Sequence, residues 1–94
     1  MAVVRRAAKI DDNQRDIVQA LRQAGCEVVS TAAMGGGFPD LLVRRGDQMY
    51  LVEVKDGSKP PSRQRLTPHQ ILFHARWDVQ IATDEESALR AVGL

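Results

Sequence analysis

Three side chains able to do chemistry together lie in the middle of the chain: Asp40, Glu53 and Lys55. Asp40 opens a short apolar run, Leu41 to Val43, and the other two stand near the end of a second run, Met49 to Val54. Between the runs lies Gly46-Asp47, the reverse of the commonest hairpin dipeptide and still a turn-forming pair. Side chains alternate faces along a strand, so Glu53 and Lys55 share one. A chain folded back at Gly46 brings the start of the first strand beside the end of the second, placing Asp40 within reach of both. Two carboxylates and an amine in that arrangement suit metal-assisted phosphodiester cleavage. Hard divalent cations take carboxylate, carbonyl and water oxygens, and a neighbouring lysine orients a water or neutralises developing charge. In the bland alternative, Asp40 caps a strand and the other two form an exposed ion pair. Charges of both signs inside an otherwise apolar strand count against it.

The elements that position these residues are legible on either side. Met1 to Lys9 is a basic lead-in with Arg5, Arg6 and Lys9, a candidate for contact with nucleic-acid backbone. Residues 10–94 form one domain. Asp11 or Asp12 is expected to cap a first helix running to about Ala24, with Ile17, Val18, Leu21 and Ala24 on one face and Gly25 as its stop. Cys26 to Thr31, rich in β-branched residues, is expected to form a strand, with Cys26 a small buried residue. The three glycines Gly35, Gly36 and Gly37 precede Pro39-Asp40 and are expected to let the backbone approach a phosphate or a metal site closely, a plain loop being the alternative. No Gly-Lys-Ser/Thr follows them, so they are not a P-loop.

Asp56 to Arg65 contains Gly57, Ser58, Pro60, Pro61 and Ser62 and is expected to be a surface loop. Its bases Lys59, Arg63 and Arg65 are candidates for phosphate contact. Thr67 is expected to cap a second helix, with Pro68 at its first position and Gln70 at its third. Capping alone would explain Gln70, and the two uses of its side chain, in the cap and at an active site, compete. His69 and His74 are five apart, off metal-ligand spacing, and are assigned to surface and packing. Ile71, Leu72, Ala75 and Trp77 are expected to pack on the sheet. A strand through Val79 and Ile81 follows, then Thr83 to Glu86 as a capping box for a terminal helix with Ala88, Leu89 and Val92 inward. The predicted order is αβββαβα.

Ninety-four residues allow one small core, and 44% hydrophobic content is globular rather than disordered. No apolar run approaches the ~20 residues of a membrane helix, and no secretory apolar segment opens the chain. A lone cysteine excludes a disulfide framework and a cysteine zinc site, so a reducing, cytoplasmic setting is expected. The net charge of +1 decides nothing. Its distribution favours a phosphate-facing side: Lys55, Lys59, Arg63, Arg65 and Arg76 stand against Asp56 alone, and acidic residues dominate from Asp78 on. No recognition helix, zinc finger or aromatic stacking platform is visible.

Pro39-Asp40 followed by Glu53-Val54-Lys55 resembles the PD-(D/E)xK nuclease signature. The glycine lead-in, Leu41-Leu42-Val43, Glu53-Val54-Lys55-Asp56-Gly57 and Leu66-Thr67-Pro68-His69-Gln70 are similar to its VRR-NUC branch, particularly the stand-alone phage and bacterial forms, from Ile10 to about Gly93. The resemblance implies an α/β, restriction-endonuclease-like fold with a mixed sheet flanked by helices. It implies magnesium, with manganese able to substitute, held by Asp40, Glu53 and the Val54 carbonyl. Lys55 and Gln70 would complete the catalytic set, Gln70 contacting water or the scissile phosphate. Gly36, Gly37, Lys59, Arg63 and Arg65 are the expected DNA contacts. In that family the first helix usually carries a glutamate that helps hold the metal. The aligned residue here is Gln14, which could bind a metal-coordinated water or serve only in a capping box with Asp11, and Asp16 or Asp12 could substitute from a neighbouring turn. The implied activity is DNA endonuclease cleavage, favouring branched DNA such as a four-way junction and carried out by a homodimer. A nucleic-acid-binding module that keeps the fold without the chemistry, or a subunit serving mainly in assembly, are the alternatives.

Overall fold

In the computed structural model, which describes residues 12–94, the elements follow the predicted order. They are helix α1 (Gln14–Gln23), strands β1 (Glu27–Ser30), β2 (Leu41–Arg45) and β3 (Gln48–Val54), helix α2 (Pro68–Arg76), strand β4 (Val79–Ala82) and helix α3 (Glu85–Ala91). The strands form one mixed sheet in the order β1-β2-β3-β4, antiparallel except where β4 runs parallel to β3. The α/β expectation is met. The basic lead-in and Asp11 lie outside the described residues.

The alternation of the strands builds the core. Val28, Val43, Leu41, Val52, Val54 and Ala82 face one side of the sheet, where Ile17 and Leu21 of α1 and Ala88 and Val92 of α3 close over them. Cys26 is buried beside them as expected. The hairpin turns at Gly46, whose φ of 61° is a region glycine enters freely. Arg45 and Gln48 are paired across it.

Several boundaries differ from the sequence expectation for identifiable reasons. Helix α1 begins at Gln14 with Asn13 as its N-cap, later than Asp11 or Asp12. The Asn13 side chain does not cap the helix. Its Nδ2 donates to the carbonyls of Lys55 (3.2 Å) and Thr83 (2.8 Å), tying the end of β3 to the end of β4. Gln14 is therefore at the first helical position, not the third position of a capping box with Asp11. Strand β1 is shorter than Cys26 to Thr31, because the Cys26 N–H closes the α1 terminus on the Leu21 carbonyl (3.0 Å). Thr31 instead anchors the residues before β2. The last helix is capped by Asp84 with Ser87 at the third position, one residue beyond the box read from Thr83. The Thr83 carbonyl already accepts from Asn13 and Gly57. Asp84 accepts from the Ser87 N–H and shares a capping box with the Ser87 hydroxyl, which holds its carboxyl below the ordinary 3.8.

Helix α2 departs most from expectation. Ile71, Leu72, Ala75 and Trp77 do not pack on the sheet; all four are exposed. The inward face of α2 carries Gln70, and beside it Phe73, whose ring meets Phe38 edge-on at 5.2 Å. Trp77 stacks on Phe73 at 5.6 Å.

Candidate active site

The hairpin register sets the geometry. Leu41 pairs with Val52, so Asp40, one residue earlier, comes beside Glu53 and Val54. Asp40 Oδ2 accepts from the Val54 N–H at 2.8 Å, a cross-strand bond that locks the carboxylate at the end of β3. Asp40 is itself held from the other side. The Thr31 N–H donates to the Asp40 carbonyl (2.8 Å), and the Thr31 hydroxyl donates to the Pro39 carbonyl (2.6 Å).

Glu53 is 2% exposed, on the sheet face opposite the core. A buried carboxylate is costly without partners, and α2 supplies one. Gln70 Nε2 donates to Glu53 Oε2 at 3.0 Å, while Gln70 Oε1 accepts from Lys55 Nζ at 2.9 Å. Lys55 Nζ also stands 3.8 Å from Glu53 Oε2. The amide thus bridges the acid and the base, and its orientation is fixed by their opposite hydrogen-bonding needs. Gln70 serves the helix cap at the same time: Oε1 accepts from the Thr67 N–H (2.9 Å), and the Gln70 N–H donates to Thr67 Oγ1 (3.2 Å). The expected competition between cap and site does not arise, because one amide oxygen has two lone pairs and takes both donors. The cap that starts α2 also aims Gln70.

Gly37 sets how closely the glycine loop meets this cap. A Cβ built there would lie 2.4 Å from the His69 carbonyl oxygen and 2.8 Å from the Gln70 nitrogen, and its φ is +83°. Gly36 has a similar φ, +65°, but open space around it. Gly37 is thus needed for the approach to α2, while Gly36 lines an exposed groove with His69, Leu72, Phe73, Arg76 and Trp77.

The other expected residues are placed as follows. Gln14 is 5% exposed, and its Oε1 has no hydrogen-bond partner among the described residues. It lines a groove with Ser30 and stands next to Asn13, which holds the Lys55 carbonyl. Lys59 pairs with Asp12 at 3.7 Å. Arg63, in a 3₁₀ turn (Pro61–Arg63), and Arg65 are exposed and make no ion pair among the described residues. Asp56 is buried within the expected surface loop: its Oδ1 accepts from the Ser58 hydroxyl (2.7 Å) and N–H (2.9 Å), which hold its carboxyl below 3.8. His69 is exposed; His74, one turn beyond Gln70, is half-buried, and burial together with the charge of Lys55 lowers its pKa. Sequence reasoning missed Asn13 and Thr31. The polar type of each was a signal, but their partners are distant in sequence.

No group of three or more His, Cys, Asp or Glu residues able to hold a metal ion occurs among the described residues. The donor types the register brings to the end of β3, the carboxylates of Asp40 and Glu53 beside the Val54 backbone, are those a hard cation that keeps several waters takes, as magnesium does. A softer metal seeking imidazole or thiolate finds no such set.

A hairpin carrying Asp40 and Glu53-x-Lys55 on a mixed sheet between helices defines a PD-(D/E)xK nuclease-like protein. The family model of the archaeal Holliday junction resolvases (Hjc) matches residues 5–86, and the chain belongs to that family. The match supports the superfamily reading and does not single out the VRR-NUC branch. A UPF0102 protein from Dinoroseobacter shibae is 46% identical over 43 residues, 45% of this chain; the aligned stretch is 32% of that protein, so the chain spans about a third of this relative's length. No solved structure matches the chain. No helix among the described residues is long and apolar enough to cross a membrane.

Proposed function

We propose that the chain is a magnesium-dependent DNA endonuclease that nicks branched DNA of the four-way-junction type as a homodimer. The observation that carries this is the Gln70 bridge between buried Glu53 and Lys55, beside an Asp40 locked onto the same strand. A binding module has no need to bury an acid and a base together under one amide. Asp40, Glu53 and the Val54 carbonyl are the residues that would hold magnesium, or manganese in its place. Bound there, the ion would lower the pKa of a water and screen the phosphate. Lys55 holds the attacking water or the scissile phosphate oxygen in line, and its charge opposes the negative charge that develops. Gln70 keeps Lys55 and Glu53 in register and presents its amide to water or phosphate. Gln14, where the resembling family has a glutamate, would offer a neutral oxygen to a water on a bound ion. The backbone of Gly36 and Gly37, with Lys59, Arg63 and Arg65, follows the DNA phosphates. The product end is a 5′-phosphate by analogy with the nuclease superfamily, and the setting is the cytoplasm.

Support for branched DNA comes from family membership. Paired cuts across a junction need two sites related by a twofold axis, which a homodimer supplies. The test is cleavage of an end-labelled four-way junction beside a linear duplex of one arm's sequence, both with magnesium. The expected result is junction nicking at least about tenfold faster than duplex nicking, a preference of about 1.4 kcal/mol. Equal rates would remove the structural selectivity. Junction binding without nicking would favour the binding module.

A further inference from the structure

Asn13 is the N-cap of α1, yet its side chain makes no capping hydrogen bond. An N-cap asparagine ordinarily turns its side-chain oxygen to the N–H groups of the first turn, which stabilises the helix. Here the backbone of Asn13 is already in the helical region (φ −84°, ψ −1°), and its amide serves two strand ends instead. Nδ2, which carries two hydrogens, donates to the carbonyls of Lys55 and Thr83 at 3.2 and 2.8 Å. Oδ1 is buried without a hydrogen-bond partner among the described residues, which adds a desolvation cost. A side chain that forgoes a cap and buries an unpaired oxygen is a poor choice for stability alone.

The carbonyl it takes belongs to the lysine of the candidate site. The ladder between β3 and β4 ends at Val54 and Ala82, so Lys55 is the first residue past it. The Lys55 N–H still donates to the Ala82 carbonyl at 2.9 Å, and Asn13 holds the Lys55 carbonyl. The peptide planes on both sides of the Lys55 Cα are therefore fixed, one by β4 and one by α1. Together they set the direction of the Cα–Cβ bond, while Gln70 Oε1 holds Nζ at the other end of the stem at 2.9 Å.

We propose that Asn13 is a positioning residue for cleavage: by gripping the Lys55 carbonyl it aims the lysine side chain from its root. The proposal rests on the nuclease reading and adds to it a residue on α1 that acts through Lys55. With the root freed, Gln70 is left to hold the tip of a flexible four-carbon stem. Misplacing a catalytic group by about 1 Å can cost on the order of 10² in rate. An amide is what the place requires. Alanine offers no hydrogen, and aspartate, though of the same shape, sets a carboxylate against two carbonyl oxygens.

The test is a double-mutant cycle. Asn13→Ala and Asn13→Asp are compared in the wild-type and Lys55→Met backgrounds by single-turnover nicking of the four-way junction with magnesium. Val92→Ala is the stability control, a core change at the hairpin end of the sheet, where Arg45 donates to the Val92 carbonyl (3.2 Å). Both Asn13 variants should slow nicking by about tenfold or more, with junction affinity within about threefold of wild type. In the Lys55→Met background the same substitutions should cost less than about threefold, because the side chain they aim is gone. Val92→Ala, which loses stability in urea without touching the site, should nick near the wild-type rate. An equal loss in both backgrounds, or one no larger than that of Val92→Ala, overturns the proposal.

Native-state amide exchange reads the clamp without any activity. In Asn13→Ala the Lys55 and Gly57 N–H groups, bonded to the Ala82 and Thr83 carbonyls, should exchange at least about tenfold faster relative to those of β2. Unchanged relative exchange overturns the clamp. A wild type that nicks junctions, with Asn13→Ala equally active, removes the role of Asn13 and keeps the enzyme. A wild type inert on DNA removes the enzyme, and faster exchange in Asn13→Ala then keeps the clamp alone.

Discussion

Replacing Lys55 with methionine should lower the rate of magnesium-dependent junction cleavage by about 10³-fold, while binding of the same junction in EDTA changes little. Removing a general acid–base group or a charge aimed at the transition state costs about 10²–10⁴ in rate. Methionine keeps much of the aliphatic stem, so the loss should fall on kcat rather than KM. The geometry predicts that split, because Lys55 Nζ is already fixed by Gln70 Oε1 and lies beside Glu53 rather than out on the basic loop. Single-turnover rates and a filter-binding isotherm on the same substrate measure the two effects separately. A large loss of affinity with an unchanged single-turnover rate would make Lys55 a phosphate anchor and move the chemistry elsewhere.

Gly37→Ala is expected to be nearly as damaging, although Gly37 makes no side-chain contact at all. Its positive φ alone costs an L-residue roughly 1 kcal/mol or more. The added methyl also collides with the His69 carbonyl at 2.4 Å, which nothing short of moving the first turn of α2 relieves. That turn carries Gln70, and a displacement of about 1 Å at a catalytic group can cost on the order of 10² in rate. Gly36→Ala is the matched control, since it has a positive φ of +65° but meets no atom within 4 Å. The two variants should lose similar stability from backbone strain in chemical denaturation. Only Gly37→Ala should lose the further stability and the 10²-fold of activity. Equal behaviour would show that the loop–helix contact does not hold the site.

These two residues also show how far the sequence was legible. Lys55 was readable because its neighbours are local: period-2 alternation put it beside Glu53, and a turn at Gly46 brought Asp40 to them. The Thr67-Pro68-x-Gln70 start of α2 was equally local. The reach of Gln70 from that cap to Glu53 and Lys55 was not, because it depends on how α2 crosses the sheet. The same long-range geometry hid the role of Asn13, whose side chain leaves its own helix for carbonyls 42 and 70 residues away. It also reversed the expectation for Ile71, Leu72, Ala75 and Trp77. Their apolar spacing correctly marked a helix but could not show that its inward face would be given to a polar bridge. Gly37 stood in between. A run of three glycines signalled a close approach, and the structure identifies the backbone approached as that of α2.

Asp40 and Glu53 are proposed to hold a metal ion without which Lys55 and Gln70 do not cleave DNA. The most direct measurement is the junction-nicking rate with magnesium divided by the rate with EDTA, taken for wild type and for Glu53→Gln, which keeps the shape of the side chain and removes its charge. Wild type should show a ratio of at least about 10³, with manganese substituting for magnesium, because no step is left to activate water or screen the phosphate once the ion is gone. Glu53→Gln should bring that ratio close to one. A wild type that nicks equally well in EDTA, or a Glu53→Gln variant with undiminished magnesium dependence, would contradict the assignment of this site.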